Sequence, residues 1–104
     1  MIMSDLRMRV QPGKLGALKQ IFAEYSIFEK AIQVPGCLEL FMVSSEDYEE
    51  EVRVVGFWES RDAYQLWMEH PERGSAAEAL MEIMDMDFDA AAPAQILSVV
   101  AEKR

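Results

Sequence analysis

The side chains best suited to chemistry gather in one stretch, GFWESRDAYQLWMEH, residues 56–70. It carries both tryptophans, Trp58 and Trp67, and the only histidine, His70. An imidazole titrates near neutral pH, so His70 is the side chain fitted to carry a proton. An indole offers a flat apolar wall to an aromatic ligand. Two readings stand side by side. In one, Trp67 and His70 border a pocket. In the other, both are packing, and His70 is a solvated residue at the end of a helix cut short by Pro71.

Other reactive groups are scattered. Arg7, Arg9 and Arg53 fall on one face of the strands that hold them, with Glu39 as a neighbour. They suit structural ion pairs, or one of them could hold an anionic or enolate oxygen of a ligand. Cys37 is the single cysteine and cannot form an internal disulfide. It reads as a small buried hydrophobe. Asp85, Asp87 and Asp89 have the spacing that opens a calcium loop. The pattern then fails, because Ala90 stands where a glycine belongs and Ile96 where a glutamate belongs. No metal site is expected.

The elements that must position these groups follow from hydrophobic period. Residues 2–10 alternate, with Ile2, Ser4, Leu6, Met8 and Val10 on one face and Met3, Asp5, Arg7 and Arg9 on the other. That is a strand. From Lys14, apolar residues recur at three- and four-residue steps: Leu15, Leu18, Ile21, Phe22, Tyr25, Phe28 and Ile32. They predict one helix of about five turns, stopped by Pro35-Gly36. CLELFMVSS from Cys37 and VRVVGFWES from Val52 predict an antiparallel pair joined by an acidic loop. Ser60 is placed to cap the next helix, which should bury Ala63, Leu66, Trp67 and His70. Ser75 and Glu78 read as a capping box for a further turn with Ala77, Leu80, Met81 and Met84 as its stripe. MDMDFDAAAP is expected to be a loop and QILSVVAE a final strand. The order β-α-β-β-α-β predicts an α+β, ferredoxin-like fold: an antiparallel four-stranded sheet with both helices on one face.

The 104 residues suit a single domain, 1–104. Nineteen acidic against ten basic residues give a net charge of −9, which disfavours nucleic acid and anionic membranes as partners. No run approaches the ~18 apolar residues of a membrane span, and the start lacks a signal-peptide core. A cytoplasmic protein is the simplest expectation. Several strands are apolar on both faces, so helices on one side leave a surface that calls for a partner on the other.

The segments Val10–Lys14 (VQPGK), Val34–Cys37 (VPGC) and Phe57–Trp67 (FWESRDAYQLW) resemble those of the antibiotic biosynthesis monooxygenase (ABM) domain family, within the dimeric α/β-barrel superfamily. The likeness extends over roughly residues 3–101. It implies a homodimer whose two sheets form one barrel, with an apolar pocket between helices and sheet in each subunit. Some members oxidise aromatic polyketides or quinols with O₂ and no cofactor; others bind haem. In that frame Trp67, Phe22, Tyr25, Ala63, Met84 and Arg9 would line the substrate pocket and His70 would be the catalytic group. Two departures stand out. Haem-degrading relatives carry an axial histidine where this chain has Ala76. Polyketide-oxidising members carry an asparagine where it has Ala63. The resemblance therefore implies a cofactor-independent monooxygenase acting on an apolar phenolic, quinol or polyketide-like molecule. The alternative is a non-catalytic dimeric protein that binds such a molecule.

Overall fold

The computed structural model describes residues 1–85 and 93–103. Its elements are β1 (Ile2–Arg9), α1 (Leu15–Glu24), α2 (Ile27–Ala31), β2 (Cys37–Ser44), β3 (Glu51–Trp58), α3 (Arg61–Met68), α4 (Ala77–Ile83) and β4 (Gln95–Ser98). The strands form one antiparallel sheet in the order β2-β3-β1-β4. This is the ferredoxin-like α+β arrangement, with the helices on one face. The aspartates of the calcium-like spacing beyond Asp85, and Met86 with them, lie outside the described residues.

Strand alternation decides what each face carries. Met8 pairs with Val52 and Leu6 with Val54 across β1 and β3. These apolar residues point under the helices and pack with Val10, Leu18 and Ile83 in one core cluster. Leu18 is fully buried and anchors α1 to the sheet. A second cluster forms at the other end of the sheet, where Trp58, Val34 and Ala63 are buried together. The opposite, open face takes the odd-numbered residues of β1 and β3, among them Asp5, Arg7, Arg53, Val55 and Phe57.

The expected five-turn helix is two helices. Ser26 adopts the left-handed region, φ 51° and ψ 42°, and separates α1 from α2. On one straight helix, residues six apart point roughly 120° away from each other. The break turns α2 so that Phe28 meets Phe22 edge to face, with centroids 5.4 Å apart. It also shifts the buried stripe: Ala31 is buried, and Ile32, expected inside, is 45% exposed.

Two further expectations are corrected. Leu66 lies 49% exposed on α3, and Tyr64 packs inward in its place, edge to face on Trp58 at 5.4 Å. The capping box at Ser75 does not form. Residues 71–76 are already a run of turns, and α4 starts from Ala76 with no side-chain cap. The cap at Ser60 does form, its hydroxyl accepting from the Ala63 amide at 3.2 Å. β4 covers Gln95–Ser98, half the length read from the sequence. No helix among the described residues is long and apolar enough to cross a membrane.

Candidate functional site

Trp58 is structural. It is 1% exposed, and its indole Nε1 donates to Ser4 Oγ at 3.0 Å. Gly56 makes this possible: a Cβ there would lie 2.7 Å from Trp58 Nε1 and 3.0 Å from Ser4 Oγ. The indole thus folds back over a bare stretch of strand and ties β3 to β1 with a buried hydrogen bond. Trp67 has a different setting. It is half-buried on α3 and packs at the margin of the cluster that Trp58 anchors.

One turn on, the His70 ring lies beside the Trp67 indole, with centroids 5.3 Å apart and planes tilted by 42°. The spacing in the sequence predicts His70 on the same helix stripe. The structure puts it just past the end of α3, half-buried, where its backbone N–H reaches Trp67 O at 3.0 Å. His70 Nδ1 accepts from the Glu72 backbone N–H at 3.1 Å. An accepting Nδ1 leaves the proton of a neutral imidazole on Nε2. His70 therefore offers a hydrogen-bond donor. Acting as a base through Nδ1 would require breaking the bond to Glu72.

The other expected pocket residues divide between the two clusters. Ala63 is buried with Trp58 and Val34. It is held close to the preceding loop, for Gly36 lies at φ 91° and a Cβ on it would come within 2.6 Å of Ala63 Cβ. Phe22 and Met84 pack on the Met8–Val10–Leu18 cluster. Met84 is fixed there by a bridge to Val10, while the Asp85 amide bonds Arg9 O and the Gln11 side chain bonds Met84 O. Tyr25 is half-buried where α1 ends. Arg9 does not join them. Met8 and Val10 point under the helices, so Arg9 lies on the open face, where it pairs with Glu51 at 3.3 Å.

That open face holds a recess of about 530 Å³ whose lining includes Arg7, Arg9, Arg53, Glu51, Ser44 and Ser45. Alternation alone put the three arginines on one face. The recess needed the β2–β3 register, which brings Val43 and Ser44 opposite Arg53 and Val52. Three arginines against one glutamate make the lining cationic, with Val43 among its apolar members. Among the described residues no three His, Cys, Asp or Glu side chains come together to hold a metal ion.

Two groups near the Trp58 cluster are shifted by burial. The Cys37 thiol is pushed up from 9.0 to about 11 by loss of solvent. The Tyr64 phenol is also raised by burial, against an opposing pull from the Arg73 and Arg61 guanidiniums. Both groups stay protonated at neutral pH, so neither serves as a ready base or nucleophile.

Residues 1–79 match the protein family described as antibiotic biosynthesis monooxygenase. A candidate antibiotic biosynthesis monooxygenase from Caulobacter crescentus is similar at 26% identity, with 96% of this chain and 90% of that one covered and a TM-score of 0.74. A mutant of SnoaB, a cofactor-independent oxygenase from Streptomyces nogalater, aligns at a TM-score of 0.75 with 16% identity, covering 97% of this chain and 94% of that one. A candidate monooxygenase of the same description from Nitrosomonas europaea gives 0.75 at 16% identity, covering 97% and 100%. A comparison with curated proteins finds no match.

Proposed function

Because this chain belongs to the antibiotic biosynthesis monooxygenase family, we propose that it is a homodimeric, cofactor-independent monooxygenase for a flat, apolar phenolic or quinol-like molecule. The observation that carries this reading is the half-buried Trp67 indole with the His70 imidazole beside it, at the margin of an apolar cluster. An aromatic ligand would stack on the indole, beside the cluster that Trp58, Val34 and Ala63 form. Its phenolic or enolic oxygen would take the proton of His70 Nε2 as a hydrogen bond, which stabilises the oxyanion form. An electron-rich ring anion reacts with O₂ directly. In an anthrone-like substrate a ring CH₂ becomes C=O; in a quinol a ring C–H becomes C–OH while the two phenolic C–OH groups become C=O; in both, one oxygen atom of O₂ enters the product and the other leaves as water. The protein's share is desolvation, orientation and that one donor.

The experiment is oxygen uptake with a panel of hydroquinones and anthrone-like phenols. Uptake above the protein-free rate is expected with at least one. His70→Ala should lower kcat by about 100-fold, the low end for loss of an acid–base or hydrogen-bonding group. Trp67→Ala should act mainly on KM. Uptake unchanged in both variants would overturn this site.

A second reading is favoured by Ala63 and Ala76. Both are buried and bring no polar group to the region. A dimeric protein that binds the same class of molecule without turning it over would show saturable quenching of Trp67 fluorescence and no oxygen uptake.

A further inference from the structure

The stretch that carries Trp67 and His70 also holds three hydrogen-bond donors without a protein acceptor. Arg61, Tyr64 and Trp67 follow at three-residue steps along α3, so each side chain neighbours the next. Past the helix, the run of turns over residues 71–76 keeps Arg73 close, its backbone N–H donating to His70 O at 3.1 Å. Burial raises the Tyr64 phenol, and the Arg73 and Arg61 guanidiniums both pull against that rise. The phenol therefore stands within electrostatic reach of both cations. Neither arginine makes an ion pair among the described residues, although acidic residues outnumber basic ones nineteen to ten. The Tyr64 hydroxyl bonds no protein group among the described residues either.

We propose that Arg61, Arg73 and the Tyr64 hydroxyl bind the acid group of an aromatic acid whose ring stacks on Trp67. The proposal rests on the ring site of the reading above and names the substituent that its substrate carries. A guanidinium fork matches the two oxygens of a carboxylate, and a second cation with a phenolic O–H meets its remaining lone pairs. His70 Nε2 then serves the phenolic oxygen and the arginines serve the carboxylate. A flat ring that the indole alone would leave free to turn is thereby oriented at two points.

The surrounding contacts hold these donors ready. The Glu72 N–H donates to His70 Nδ1 at 3.1 Å, and the Glu72 carboxylate pairs with Lys30 of α2 at 3.2 Å. The turn that carries Arg73 is thus tied down, and the acid next to Arg73 in sequence is taken by another cation. Arg61 is followed by Asp62, but adjacent residues on a helix do not face each other. Tyr64 is packed edge to face on the buried Trp58, with centroids 5.4 Å apart, which fixes the direction of its phenol. Both arginines are exposed, so an acid can reach them from solvent. Donors fixed before the ligand arrives lower the cost of binding it.

The test is calorimetry of the full chain with gentisate, a quinol bearing one carboxylate, and with its methyl ester, which keeps the ring and removes the charge. The acid should bind about ten-fold more tightly than the ester, the gain of charge-assisted contacts at an exposed site. In the double variant Arg61→Gln, Arg73→Gln that ratio should fall to near one. In Arg61→Lys, Arg73→Lys part of it should return, because the charge is kept and the fork is lost. Circular dichroism should show both double variants folded, since the two side chains are exposed. Acid and ester bound equally well by the wild type, or a ratio untouched by the glutamine pair, overturns the acid subsite and leaves the Trp67 site standing. Inorganic phosphate bound as tightly as gentisate would make the arginines a general anion site and overturn the aromatic-acid assignment. Binding of neither ring compound, or ester binding unchanged in Trp67→Ala, overturns the ring site and this proposal with it.

Discussion

Small residues fix the surroundings of the tryptophans. Gly36 sits at φ 91° and touches Ala63, which brings the start of α3 against the loop before β2. Gly56 leaves the space that the Trp58 indole fills. Between them lies Cys37, whose thiol is pushed up to about 11 by burial. This shift can be read directly in reactivity. At pH 8 the folded chain should alkylate with iodoacetamide roughly 100-fold more slowly than a free thiol of ordinary acidity, because only the thiolate reacts. The sign for stability follows from the same shift. The neutral thiol is favoured in the folded state, so the contribution is intact below 9.0 and is lost as pH rises through about 11. A rate equal to that of the unfolded chain in urea at pH 8 would show that Cys37 is not desolvated.

At the scale of elements, the break at Ser26 decides how the first helical layer meets the sheet. The apolar spacing runs on through Tyr25, Phe28 and Ile32, so nothing in the period announces the interruption. Ser26 is a non-glycine residue held at φ 51°, a conformation that costs an L-residue about 1–2 kcal/mol. Ser26→Gly should relieve that strain. Allowing for the freer unfolded chain, urea denaturation should report a gain of about 0.5 kcal/mol. A loss would mean that the Ser26 side chain contributes more than its backbone conformation costs. The cap at Ser60 was legible because it is local: a hydroxyl needs only the amide three residues on. The capping box at Ser75 has an equally good local pattern. It fails because the preceding turns fix the backbone before the helix begins.

For the whole molecule, charge and surface pull against each other. The chain carries −9 and yet exposes Phe41 and Val43 on the open face of the sheet, where Asp5, Glu39 and Glu51 balance Arg7, Arg9 and Arg53. Exposed repulsion is screened by salt within about 10 Å at 0.1 M, whereas buried pairs are screened much less. The dimer Kd measured by sedimentation should therefore fall as NaCl is raised from low to moderate concentration. A Kd that rises steadily with salt would place the dominant ion pairs in solvent. By itself the sequence determined the order of elements, the four strands and their inward and outward faces, because strand alternation and helical period are local consequences of which residues seek water. The same alternation assigned Arg7, Arg9 and Arg53 to one face. Only the tertiary structure decided that the expected pocket residues divide between two clusters and that Arg9 lies across the sheet from Trp67. It alone left Asp5 with a buried, unsatisfied oxygen. Those outcomes depend on register and on the angle between helices, and both are set by contacts between residues far apart in the chain.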